Sequence, residues 1–154
     1  MSLEIGDKAP DFTLPTDGGG KIKLGEFKGK KVVLYFYPKD DTSGCTAEAC
    51  AFRDGIPNFR KVDAVIIGVS RDSVAAHDKF KKKYHLPFTL ASDAEGKVTE
   101  RYGVWVQKSM YGRKYMGIER STFLIDEKGV IRELWRKVKV PGHAEEVLEA
   151  AKAS

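Results

Sequence analysis

Hydrophobic positions along this chain fall into two unbroken runs and several alternating or helically spaced ones. Residues 32–37 are all apolar or aromatic and stop at Pro38, and residues 64–70 have the same character. Unbroken runs of strand formers mark strands buried on both faces, hence a sheet covered by helices. Residues 43–60, between them, carry helical spacing with Cys45, Ala49 and Phe52 on one face. A strand–helix–strand unit of this kind is expected to be parallel and right-handed. A second helix is predicted over residues 73–84, where Ala76, Phe80 and Tyr84 recur four apart. Residues 89–92 suit a short third strand. Residues 121–125 and 130–135 suit an antiparallel hairpin whose four-residue connection closes on Gly129. Pro141 and Gly142 then introduce a last helix with Ala144, Val147, Leu148 and Ala151 on one stripe. Near the start, residues 12–14 and 22–24 alternate around Gly18, Gly19 and Gly20, which read as a hairpin turn; the P-loop spacing for a phosphate cradle is missing. The pattern adds up to an α/β fold with a mixed central sheet.

Length and composition narrow this picture. At 154 residues the chain is expected to form one domain spanning residues 1–154. Hydrophobic residues at 42% and charged residues at 32% suffice for a core and exclude a disordered tail. No apolar run approaches the roughly 20 residues of a membrane span. Residues 1–7 lack the basic stretch and apolar block of a secretory signal, so a cytoplasmic location is expected. Lys and Arg total 27 against 22 Asp and Glu, a net charge of +5. Acidic residues interrupt the basic ones nearly everywhere, and the one compact run, Lys81, Lys82 and Lys83, is expected on a solvated helix face. A nucleic-acid partner is therefore not expected. Two cysteines are too few for a disulfide scaffold, so they are either incidental or chemical.

The stretch from Pro38 to Cys50 favours chemistry over the alternative, in which Cys45, sharing a helical face with Ala49 and Phe52, is a small core hydrophobe. It begins where a buried strand ends and a helix starts, the usual ligand crevice of an α/β sheet. With Thr42 or Ser43 as the N-cap, Cys45 falls in the first helical turn. Unpaired amides and the positive end of the helix there favour a thiolate, so Cys45 is expected to be a nucleophile. In a regular helix, five residues place the Cα atoms of Cys45 and Cys50 about 8.7 Å apart, whereas a disulfide needs roughly 7 Å or less. Either they never pair, or the helix partly unwinds. Gly55 and Pro57 are expected to limit it to about three turns and weaken it.

Pro38-x-x-x-Thr42-x-x-Cys45 resembles the active-site motif of the peroxiredoxins. With Cys50 five residues on, followed by Phe52, Arg53 and Asp54, it is similar to the peroxiredoxin Q or bacterioferritin comigratory protein subgroup. Gly6, Asp7, Ala9, Pro10, Asp11 and Phe12 resemble the family's opening, and residues 103–105 and 120–126 its later segments. The resemblance implies a thioredoxin-like fold with helices flanking the mixed sheet, and reduction of hydrogen peroxide and organic hydroperoxides. It makes Cys45 the peroxidatic thiolate and Cys50 the resolving thiol. Thr42 would hold the thiolate and peroxide by its hydroxyl, Arg120 would stabilise the thiolate and polarise the peroxide, and Pro38 would shield the site. It implies an internal Cys45–Cys50 disulfide, a thioredoxin-like reductant, and no metal or organic cofactor. The lack of an obvious swapped arm points to a monomer.

Two other readings compete. A non-enzymatic binding module would use the basic surface and leave the cysteines incidental. A protein disulfide reductase would use a dithiol that closes without unwinding, which this spacing disfavours. His77, His85 and His143 show no metal-ligand spacing with the cysteines and are expected to be structural or on the surface. Asp40 and Asp41 read as a solvated turn, Trp105 and Tyr111 as core aromatics, and Arg113 and Lys114, beside Met110 and Tyr115, as an exposed hairpin or loop.

Overall fold

The computed structural model describes residues 3–154. The chain opens with a small antiparallel hairpin, β1 (Thr13–Pro15) and β2 (Lys21–Lys23), in which Leu14 faces Ile22. Gly18 and Gly19 turn it with φ of 75° and 78°, a region glycine enters without steric cost. Then come β3 (Lys31–Phe36), α1 (Ser43–Lys61), β4 (Ala64–Ser70), α2 (Val74–Tyr84) and β5 (Thr89–Ser92). A short α3 (Lys97–Arg101) leads to a second hairpin, β6 (Trp105–Met110) and β7 (Arg113–Ile118). The chain closes with β8 (Ser121–Ile125), β9 (Ile131–Trp135) and α4 (His143–Ala153).

The central sheet has the order β5-β4-β3-β8-β9, with β3, β4 and β5 parallel and β8 and β9 antiparallel. Every residue of β3 is buried. Its alternate side chains build two cores: Val32, Leu34 and Phe36 face the opening hairpin, Tyr102 and Val104, while Val33 and Tyr35 face α1 and α4. This is the strand buried on both faces that the unbroken run predicts. His143 stitches α4 to the sheet, bonded to Thr122 Oγ1 at 2.8 Å and to Glu146 at 2.8 Å.

Two expectations need correction. α1 runs 19 residues, about five turns, with Pro57 inside it. Proline removes only the amide bond to Arg53 O, and the apolar stripe of Phe52, Ile56 and Phe59 against the sheet holds the helix through that defect. The Lys81–Lys83 run lies on the outer face of α2 as expected, and from there Lys81 Nζ reaches Asp17 at 2.7 Å and Lys83 Nζ reaches Asp41 at 2.8 Å. Tyr111 is 98% exposed at the tip of the β6–β7 hairpin, where a left-handed turn points its ring outward. Trp105 is half-buried against the core with the Arg71 guanidinium 3.3 Å from its ring centre. Among the described residues no helix is long and apolar enough to cross a membrane.

Candidate active site

Cys45 is the third residue of α1 and is 1% exposed. It lies where β3 ends, and antiparallel pairing sets Phe36 opposite Ser121 at the start of β8. That register brings Arg120, the residue just before β8, over the helix start from 75 positions away. Arg120 Nη2 lies 3.3 Å from Cys45 Sγ, and Nη1 donates to Glu48 Oε1 at 2.7 Å. The guanidinium thus bridges two side chains one helical turn apart. Gly44 makes room for it: a Cβ there would sit 3.1 Å from Arg120 Nη2.

Thr42 occupies the N-cap position, and its hydroxyl donates to Lys39 O at 2.9 Å instead of accepting from the first-turn amides. The early amides of a helix have no intrahelical acceptor. No side-chain cap satisfies them here. The Thr42 hydroxyl makes no hydrogen bond to Cys45; having donated to Lys39, it can still accept. Pro38 is half-buried at the end of β3. Arg120, Cys45 and the helix start therefore converge, with Thr42 and Pro38 on the adjoining loop. Cys50 is half-buried further along α1, and both cysteines are free thiols.

Glu48 is the member that sequence reading did not single out. It is 2% exposed on a face otherwise given to Cys45, Ala49 and Phe52. Its spacing, one turn after Cys45 on the buried face, was the available signal. Burial pushes its carboxyl up to about 7, against the opposing pull of Arg120. Its Oε2, like the hydroxyl of Tyr35, is buried without a hydrogen-bond partner. Arg120 itself is held above its usual range: burial works against its charge, but Glu48 and Cys45 outweigh this.

The loop before α1 is more tightly built than a solvated turn. The Asp40 side chain is only 6% exposed and bonds to His77 and to the Tyr37 hydroxyl. Asp41 accepts from Lys83 Nζ and Tyr84 OH. Two adjacent carboxylates that sequence reading left to solvent thus tie the loop to α2. Asp40, Asp72 and His77 offer oxygen and nitrogen atoms within 4.8 Å of one another. Both ring nitrogens of His77 already face hydrogen-bond partners, so the three form a bonded network and not a cation site. Cavities of about 370 and 490 Å3 open elsewhere, and none of the residues around Cys45 lines them.

Arg120 thus joins a buried cysteine at a helix start to a buried glutamate. A family model described as the AhpC/TSA family matches residues 5–134. The chain belongs to this family. It is a peroxiredoxin with a thioredoxin-like fold, a thiol-dependent peroxidase and so an oxidoreductase. The peroxiredoxin Bcp of Bacillus subtilis is 56% identical over 152 residues, covering 99% of this chain and 97% of that one. The solved structure of a PrxQ variant from Xylella fastidiosa superposes with a TM-score of 0.94 at 42% identity, covering 99% and 98% of the two chains. A structure of the bacterioferritin comigratory protein of Xanthomonas campestris, solved with trapped intermediates and ligands to address alkyl peroxide reduction, gives 0.90 at 45% identity, covering 98% and 96%. Peroxidase membership removes the two rival readings, the binding module and the protein disulfide reductase.

Proposed function

We propose that this peroxiredoxin reduces hydrogen peroxide and organic hydroperoxides through Cys45, closes a Cys45–Cys50 disulfide within one chain, and is reset by a thioredoxin-like dithiol. The observation that supports the assignment most is the 3.3 Å contact of Arg120 Nη2 with Cys45 Sγ in the first turn of α1. A cation beside the sulfur and its place at the positive end of a helix support attack by the thiolate, the nucleophilic form.

The thiolate attacks one peroxide oxygen: an S–O bond forms, the O–O bond breaks, and its electron pair leaves on the other oxygen, which takes a proton and departs as water or alcohol. Cys45 is left as sulfenic acid. Arg120 and the first-turn amides hold the charge as it moves from sulfur to oxygen. The Thr42 hydroxyl, donating to Lys39 O, accepts the peroxide O–H and orients it. Pro38 limits water access from the strand side. Cys50, as thiolate, then attacks the Cys45 sulfur: the S–S bond forms and the S–O bond breaks, with hydroxide leaving as water. The two Cα atoms stand about 8.7 Å apart on an intact helix, so this step requires the first turns of α1 to unwind. An incoming dithiol reduces the disulfide and is itself oxidised. One chain contains every side chain that this cycle uses, so a monomer suffices, and the reducing cytoplasm is the compartment that supplies such dithiols.

Mass spectrometry after one equivalent of peroxide tests the assignment. The expected product has lost two hydrogens and maps to Cys45–Cys50. The variant Cys50→Ser should stop at a sulfenic acid on Cys45, and Cys45→Ser should consume no peroxide. Turnover by Cys45→Ser at the parent rate would refute the assignment, and a parent protein that stops at sulfenic acid would remove Cys50 from the cycle.

A further inference from the structure

His77 is a fully buried, titratable side chain for which the peroxidase steps above have no use. Its Nδ1 lies 2.6 Å from Asp40 Oδ2 and its Nε2 lies 3.0 Å from Ala91 O. A carboxylate and a carbonyl both accept. A neutral imidazole has one N–H and would leave a lone pair against one of them, so the geometry calls for a proton on each nitrogen. Burial pushes His77 down, but the bond and charge of Asp40, the Ala91 carbonyl and the charge of Asp72 raise it overall.

The partner carboxylate lies in the loop that starts the catalytic helix. Asp40 stands between Pro38 and Thr42, and its own amide donates to Asp72 Oδ2 at 2.8 Å. The next residue, Asp41, sits at φ 59° and is held by Lys83 and Tyr84. α2 thus grips two consecutive loop residues, through His77 from inside and through Lys83 and Tyr84 from outside. The other groups facing the imidazole are the Tyr37 hydroxyl at 3.5 Å and Asp72 from the loop after β4. On α2 itself, Asp78 and Lys81 turn away to bond Gly18 N and Asp17.

We propose that His77 is a positioning residue for peroxide attack: as a buried imidazolium clamped between Asp40 and Ala91 O, it fixes the loop that carries Pro38 and Thr42 and sets where α1 begins. It touches neither the sulfur nor the peroxide. Loss of its charge leaves one hydrogen bond where there were two opposed ones, and the loop that aligns Cys45 with Arg120 gains freedom. A misplacement of the order of 1 Å at a reacting group costs up to about 100-fold in rate.

The inference rests on Cys45 as the attacking thiol and is independent of Cys50, so it is read from the first step alone. The second-order rate of Cys45 oxidation by hydrogen peroxide is measured from pH 6 to 9 in the parent protein, in His77→Asn and in Asp40→Asn. Asparagine at 77 keeps one donor for Asp40 and removes the charge. About tenfold slower attack is expected in His77→Asn at pH 7, with the gap narrowing only where nitrogen-15 spectra show His77 of the parent losing its proton. Asp40→Asn should show a similar loss and carries the test if His77→Asn fails to fold. Nitrogen-15 spectra of the parent provide a reading that needs no variant: both His77 ring nitrogens should carry a proton at pH 7. A single ring proton at pH 7, an unchanged rate, or a rate gap that does not follow the ring protonation seen in those spectra would overturn the proposal, the last because it would mean packing and not charge. A failure of Cys45 itself appears separately, as absent oxidation in the parent.

Discussion

Glu48→Gln isolates the buried carboxyl that Arg120 joins to Cys45. The side chain is 2% exposed, and burial pushes its carboxyl from the ordinary 4.5 up to about 7. A carboxyl raised by folding stabilises the fold fully below its unfolded value and ceases to do so as pH climbs through its folded value. Between roughly pH 4.5 and 7, therefore, the parent protein should lose stability that Glu48→Gln does not lose. At about 1.4 kcal/mol per pH unit, a gap of about 2.5 units amounts to roughly 3 kcal/mol in all. Some 2–3 kcal/mol of this, roughly, falls between pH 5 and pH 8. The assay is urea unfolding of the reduced proteins at those two pH values. With a urea slope of about 2 kcal/mol/M, the midpoint of the parent should drop by about 1 M more than that of the variant. All other titrating groups are common to both proteins and cancel in the difference. Midpoints that move in parallel would refute the reasoning. They would mean that Glu48 is ionised throughout and that the 2.7 Å contact with Arg120 outweighs burial.

Two further outcomes follow from the same geometry. Arg120→Lys keeps a positive charge but replaces the fork that reaches Glu48 through Nη1 and Cys45 through Nη2 with a single nitrogen, so the rate of peroxide attack should fall about 100-fold, read by stopped-flow oxidation of Cys45; a rate within twofold of the parent would contradict the bridging role. Gly44→Ala puts a methyl group 3.1 Å from Arg120 Nη2 and should slow attack about tenfold while thermal unfolding stays close to the parent's. Retention of full rate there would show that the guanidinium can shift without loss.

The layout of the fold was legible along the chain because most of its signals are local. The bounds of β4 and β5 follow from runs bounded by turn residues, and β3 from an unbroken run that only a doubly covered strand tolerates. α3 escaped because five residues without a sustained apolar stripe carry little periodicity. Pro57 misled the estimate of α1's length because a proline is a local penalty, whereas the burial of Phe52, Ile56 and Phe59 is a tertiary gain. Asp40 misled in the opposite direction. Adjacent acids in a loop look solvated until a partner histidine arrives from another helix.

For the chemistry, the division is similar. The sequence by itself determined that Cys45 sits in the first turn of a helix behind a buried strand, and that Cys50 lies too far along that helix to bond without unwinding. Both are matters of spacing within one element. Only the tertiary structure decided what surrounds that sulfur. Arg120 reaches it because β3 and β8 pair antiparallel with their ends in register, across 75 residues of chain. Glu48 becomes a partner of Arg120, and Asp40 a partner of His77, because burial removes the water that would otherwise have satisfied them. Hydrophobic period records which face of an element is covered, but not which polar group waits on the covering side.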